Sequence, residues 1–360
     1  MSPRITNQFL CLLLLLLSSC QFFRKPIDFP AYNFTVDTLY FATPVKHQGK
    51  SSNCWAYAAA SLLETEYWTA NDGTDTLNLS PEYIVRSSYQ AKFDHYCHAG
   101  GKEEICTGGL GHTFIQTFRK AGIVPWQAYD SCYRHRPAYS KLLKNIRHLA
   151  REAVSQPEQE ASCKLDLSAL LDQQMGSLPD SFLYDGKRFT PQTFAQLLPA
   201  VRREYIELTS FANQPYHAYC SLDLRDNWEH AAFYNLPLNQ LMNVMTSALQ
   251  HGTTFVWDGD VSERSFSINK GFAFCPSEMR VSEQTRLFAF LSGETRDDHM
   301  MHIIGLAHNQ FGERFFIAKN SVGNAGPYHG YLYLSEEYVR LKTISILIDK
   351  HAITKLLKQN

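Results

Sequence analysis

Two hydrophobic periods divide this chain. In its first half apolar residues recur every three or four positions. Trp55, Ala56, Ala59, Leu62, Leu63 and Tyr67 mark a helix running from Cys54 to about Thr69. Leu79-Ser80-Pro81-Glu82-Tyr83 opens another, with Ser80 as a natural N-cap and Pro81 at the first helical position. A further helix is expected from about His112 to Lys120, ended by Ala121-Gly122-Ile123-Val124-Pro125. Residues 139–154 and 165–174 read as helices, and Asp185-Gly186 between short apolar runs signals a hairpin. Thr190-Pro191 starts one more helix, and Leu236-Pro237-Leu238 leads another to about Gln250. From there the pattern changes. Residues 253–257, 296–306, 314–323, 330–334 and 343–348 read as strands, the second and third entered or left by turns, and residues 33–45 read as an extended arm. A helix-rich half followed by a strand-rich half predicts an α+β chain of two lobes, one helical and one an antiparallel sheet or barrel, meeting at a cleft.

The N-terminus has a different pattern. Arg4 precedes an apolar run from Phe9 to Leu17, too short to span a bilayer as a stable helix, and the run ends in Leu17-Ser18-Ser19-Cys20. Residues 1–20 are read as a targeting segment. Small residues before a cysteine resemble the bacterial lipoprotein signal, which implies lipidation of Cys20, residues 21–32 as a tether, and a soluble remainder from 33 to 360. An ordinary secretory signal is the alternative. Gln21, in place of aspartate, implies an outer-membrane address facing the periplasm of a bacterial envelope.

Composition narrows the classes. The chain has 360 residues, 44% hydrophobic and 13% aromatic, which is ample for a large core and excludes disorder. Net charge is −1 and no basic run appears, so nucleic acid is not an expected partner. Cys97, Cys106, Cys132, Cys163, Cys220 and Cys275 would meet an oxidising compartment after export, with Cys97 and Cys106 flanking a glycine-containing loop as the expected local pair. No two of the six are spaced Cys-x-x-Cys, so no metal or other cofactor is expected. Asp258-Gly259-Asp260 reads as a turn and not as a calcium loop.

The candidate chemistry starts at Cys54. Gly49, Ser51, Ser52 and Asn53 are turn and N-cap residues, so the cysteine stands at a helix N-terminus. Unpaired N–H groups and the positive dipole end favour a thiolate there. Gln48 can aim an amide N–H at an oxyanion formed beside the sulfur, with the Cys54 N–H as the second donor. A thiol nucleophile also needs a base and a group that orients it. His299 and His302 compete for the first role. Alternation sets 299, 301, 303 and 305 on one strand face and His302 on the other.

Gln48-Gly49 followed by Cys54-Trp55-Ala56-Tyr57 resembles the papain-like cysteine peptidases, whose nucleophile segment reads Gln-Gly-x-x-x-x-Cys-Trp-Ala-Phe. The family's His-Ala-x-x-x-x-Gly selects His299, six residues before Gly305. Lys319-Asn320-Ser321 matches Lys/Arg-Asn-Ser-Trp-Gly, which implies that Asn320 orients the histidine. Val322 replaces the tryptophan that shields that pair, and Ser52-Asn53 replaces Gly-Ser before the cysteine. The resemblance further implies peptide substrates contacted by Gly108, Gly109, Trp55 and Asp298. The separation of Cys54 from His299 exceeds the roughly 130–150 residues of papain, and the surplus falls in residues 133–211, read as a largely helical insertion. That insertion, with Gly122-Ile123-Val124-Pro125, Asn235-Leu236-Pro237-Leu238, Asp297-Asp298-His299 and Lys350-His351-Ala352, resembles the bleomycin hydrolase and aminopeptidase C branch. In that branch the C-terminus enters the cleft and restricts cleavage to peptide ends, so residues 353–360 are expected to do the same. Two other functions stay open: a membrane-anchored peptide-binding module of weak turnover, and a thiol acyltransferase. Oligomeric state is not encoded in any pattern.

Overall fold

A computed structural model describes residues 28–130, 137–276 and 280–358. Residues 1–27, with Cys11 and Cys20 and the segment read as a targeting signal, and residues 131–136, with Cys132, therefore lie outside the described residues. The account concerns the compact unit from Tyr32 onward.

The helices come first. α1 (Cys54–Ala70), α2 (Pro81–His98) and α3 (Gly111–Ala121) form the first group, and α4 (Tyr139–Ser155) and α5 (Glu160–Met175) pack on one another and on α2. A short hairpin, β2 (Phe182–Tyr184) and β3 (Lys187–Phe189), turns at Asp185 and Gly186, both at positive φ as the Asp-Gly signal requires. The one-turn helix α6 (Pro191–Ala195) is capped by Thr190, whose side chain accepts from Thr193 N.

The main sheet holds eleven strands among the described residues. β1 is Phe34–Leu39, β4 Tyr205–Thr209, β5 Ala218–Ser221, β6 Ala232–Asn235, β7 Phe255–Gly259, β8 Phe266–Ser267 and β9 Phe272–Ala273. The remainder are β10 (His299–Asn309), β11 (Arg314–Lys319), β12 (Tyr331–Ser335) and β13 (Thr343–Asp349). Their order is β5-β6-β4-β13-β7-β10-β11-β12-β9-β8, with β1 added to β10. Most pairs are antiparallel, but β4–β6 and β9–β12 are parallel, so the sheet is mixed where an antiparallel one was expected. β4 lies inside the stretch read as an insertion, yet it pairs with β13 in the middle of this sheet.

Alternation divides the core. Val256, Met300 and Leu347 point into a cluster shared with Trp55, Leu62, Phe93 and Phe114 of the helices. Their neighbours Trp257, Met301 and Ile346 enter a second cluster with Leu241 and Met245 of α7 (Leu238–Gln250). A sheet covered on both faces explains why these strands read as unbroken apolar runs. Each large side chain removed from water here contributes about 1.5–3 kcal/mol. Helix α1 is buried along its whole length from Cys54 to Tyr67 and lies on β10 and β7. It therefore delivers its first residue to a fixed point beside β10.

Three further helices were not read from the sequence: α8 (Glu283–Leu291), α9 (Glu336–Lys342) and α10 (Lys350–Lys358). Arg286 latches α8 to the sheet. It is buried and donates to Ser210 O at 2.7 Å and to the carbonyls of Arg340 and Leu341, and burial brings its pKa down to about 9. α10 packs on α7, and Ile353 is buried in the second cluster. No described helix is long and apolar enough to cross a membrane.

Candidate active site

The histidine is placed by a glycine. β10 carries an irregularity between Ile303 and Gly305, where a Cβ on Gly305 would meet Thr38 O of the crossing strand β1 at 2.2 Å. Only glycine allows that approach. With the strand so fixed, His299 stands at its first residue, half-buried, and its Nε2 lies 2.7 Å from Oδ1 of Asn320 just past the end of β11. That contact leaves Nδ1 of the ring as the other titrating atom. Burial lowers the His299 pKa, partly offset by the Asn320 hydrogen bond. His302, the competitor, is fully buried, with Nδ1 2.9 Å from Ser61 Oγ of α1 and a pKa pushed well down by burial and by Lys319. It is a core residue.

Gln48 is held against the same turn. The Gln48 N–H donates to Ser321 O at 2.9 Å, Gly323 N donates to Lys46 O at 3.0 Å, and His47 bridges Val322. Ser321 Oγ donates to Gln48 Oε1, while Gln48 Nε2 donates to Ser51 O at 2.7 Å. The Ser321 N–H in turn donates to Asn320 Oδ1 at 2.7 Å. One chain of hydrogen bonds thus runs His299–Asn320–Ser321–Gln48. Behind it, buried Glu64 accepts from Lys46 at 2.6 Å and from Thr43, fixing the approach to Gln48.

Cys54 opens α1 as expected, and Asn53 holds the N-cap position without a side-chain cap bond. Its side chain donates to Glu82 and to the Tyr139 hydroxyl, 2.8 Å away, tying the turn before Cys54 to α2 and α4. Met300, next along β10 from His299, lines the same groove as Cys54, and its backbone acts to lower the Cys54 pKa. Burial nonetheless pushes the isolated thiol up to about 12, with Asp297, Asp226 and Asp258 adding to the rise.

Cys54 opens onto a groove of about 690 Å³ lined by Gly108, Gly109, Asp226, Asp297, Asp298 and Met300, among others. Gly108 and Gly109 line it as expected. Trp55 does not: it has no exposed surface and lies beneath Gly109, whose Cβ would come within 3.0 Å of the indole. It is a support and not a contact for a ligand. Asp298 is an exposed wall residue. Two wall residues were missed. Asp226, from the loop between β5 and β6, sits on Gly108 so closely that an added Cβ would overlap its carboxylate, 1.7 Å from Oδ2. Asp297 lies beside buried Asp258; burial first, and then the charge of Asp226, raise Asp297 to about 7, against a hydrogen bond with Asp258 that lowers it. Asp258 was expected in a surface turn, but it belongs to β7, and Asp260 after it is buried as well. Nothing in their local sequence announces the pairing, which depends on β7 and β10 being neighbours.

Two expectations change here. Cys97 and Cys106 are free thiols, and Cys106 Sγ donates to Gly108 O at 3.6 Å. The groove walls include no residue of the C-terminal segment among the described residues; the loop carrying Asp226 stands there instead.

Comparisons with known proteins agree with this architecture. Residues 34–171 match the family model described as papain family cysteine protease. PepW from Lactobacillus rhamnosis superposes with a TM-score of 0.71 over 90% of this chain and 84% of that one, at 18% identity. The fold is papain-like. Two relatives align over shorter stretches. Gamete and mating-type specific protein A of Dictyostelium discoideum is 33% identical over 92 residues, 25% of this chain and 17% of that protein. Cysteine proteinase 15A of Pisum sativum is 31% identical over 107 residues, 29% of this chain and 27% of that protein. The papain-like chain thus spans less than a third of the length of these relatives.

Proposed function

We propose that this papain-like chain is a thiol-dependent peptidase with Cys54, His299 and Asn320 as its reacting set. The observation that carries the reading is the 2.7 Å contact between His299 Nε2 and Asn320, on a strand whose next residue, Met300, lines the groove with Cys54. The Cys54 proton passes to His299 Nδ1, and the sulfur attacks the peptide carbonyl. Moving a proton within the pair creates no net charge, so burial opposes it less than it opposes either ionisation alone. Gln48 retains one amide N–H beyond its bond to Ser51 and, with the Cys54 N–H, receives the oxyanion. His299 then protonates the leaving amine, and afterwards takes a proton from the water that releases the acyl group.

Cleavage from the N-terminus is the finer part of the proposal. An extended peptide would pair with the backbone at Gly108, but the Asp226 carboxylate occupies that edge. A carboxylate at the end of a short groove suits a free α-ammonium and excludes further residues. The same reading makes the protein an envelope lipoprotein anchored through Cys20, a placement tested by acyl-chain labelling of the wild type against Cys20→Ala.

The central test is alkylation with turnover. Iodoacetamide should modify Cys54 and abolish peptide cleavage, and Cys54→Ala should fold and be inactive; cleavage by Cys54→Ala would overturn the assignment. Free peptides should be cut and N-acetylated ones spared, with Asp226→Ala admitting the acetylated substrates. Equal cleavage of both by the wild type would make it an endopeptidase.

A further inference from the structure

Away from the groove, two segments distant in sequence bring His95, Glu103 and His230 together, with one ligand atom from each inside a 4.8 Å span. His95 is in the last turn of α2, Glu103 in the turn that follows, and His230 in the loop between β5 and β6. His230 Nε2 is 3.1 Å from Glu103 Oε1. The His95 and His230 rings are 6.2 Å apart. His95 Nε2 is buried and has no hydrogen-bond partner among the described residues, because its ring is set edge-on against Trp228. An orphaned buried nitrogen costs about 1–3 kcal/mol. His230 adopts φ +52, a conformation that a non-glycine residue holds only under tertiary constraint. The constraint is visible: Asn227 ties its own loop by accepting from Ala231 N at 2.9 Å and donating to the carbonyls of Leu222 and Ala231.

We propose that His95, Glu103 and His230 bind a divalent transition-metal ion of the zinc class. Two imidazoles and one carboxylate are a borderline-soft donor set that favours zinc over calcium or magnesium. Three protein ligands leave one position for water, and exposed His230 gives access. At zinc–nitrogen distances of about 2.0–2.1 Å, tetrahedral ligands lie about 3.3 Å apart. The His230–Glu103 pair already has that spacing, and the remaining closure of at most about 1.5 Å falls to the loop and a side-chain rotation. The ion satisfies the His95 nitrogen and fastens the end of α2 to the loop that also carries Asp226, a loop otherwise held there by Arg225 on Glu104 at 2.7 Å. The proposal does not depend on the peptidase reading.

The test uses full-length Cys54→Ser protein, so that the groove thiol cannot take the metal. Zinc binding is measured by chelator competition, and cobalt substitution by its visible spectrum. One zinc should bind, weakened at least tenfold in His230→Ala and again in His95→Gln, and zinc should raise Tm in the parent but not in either variant. The cobalt adduct should show d–d bands without a thiolate charge-transfer band. His230 is exposed, so its variant should keep the metal-free Tm. Zinc affinity unchanged in both variants, a thiolate band, or no binding at micromolar zinc would each overturn the site.

Discussion

The two walls beside Cys54 are built on opposite electrostatic plans. One wall, His299–Asn320–Ser321–Gln48, is a chain of hydrogen bonds with no formal charge along it, ordered by pairing between segments 46–48 and 320–323. The other crowds Asp226, Asp258 and Asp297 into the same space, and burial pushes all three carboxyls upward. The neutral wall can stabilise a developing oxyanion without first opposing it. The acidic wall works against the thiolate until a cation arrives to offset it. A substrate bearing an ammonium group would do so, which makes binding and activation of the sulfur two consequences of one charge.

The neutral wall should break first and most. Asn320→Ala removes the acceptor that fixes the His299 ring, and kcat should fall by about 10³-fold or more, as for loss of an orienting group in other triads. A fall below tenfold in a folded variant would mean that the strand alone orients the ring. Gln48→Ala deletes one oxyanion donor and should cost about 10²–10³ in kcat with KM little changed, measured by steady-state peptide hydrolysis. Ser321→Ala leaves both reacting groups in place and unties them from each other; losing a hydrogen bond of this kind is worth about tenfold.

The acidic wall should show its role in pH dependence more than in rate. Asp297 is the largest of the charges raising the Cys54 pKa. Replacing it by Asn removes a negative charge near the sulfur, which favours the thiolate, so the midpoint of iodoacetamide alkylation against pH should move down in Asp297→Asn. In the wild type the midpoint should also drop when a small amine fills the groove. A midpoint unmoved by either change would mean that the carboxylates are too well screened to act on the thiol.

Much of this was legible before any coordinates. The Cys54 helix, the Ser80 cap, the Asp185-Gly186 hairpin and the strands of the second half each follow from local residue order, where propensity, capping and period agree. His299 was legible too, through its spacing from Gly305. The acidic wall was not. Asp226 is one of several polar residues in an unremarkable loop, and its meaning comes from Gly108, more than a hundred positions earlier, having no side chain to keep it away. Asn53 and Trp55 misled for the complementary reason: each has the residue type for a local role, but Glu82 and Tyr139 claimed the first and the core claimed the second.

The sequence by itself determined which residues can do thiol chemistry and which segments must be helix or strand, because those properties depend on side-chain type and on neighbours within a few positions. The tertiary structure alone decided what faces what: which carboxylates share the groove with Cys54, and that the loop of Asp226 stands in its wall. Those outcomes depend on strand order and on contacts between residues far apart in the chain, where charge and burial add across space and leave no local mark.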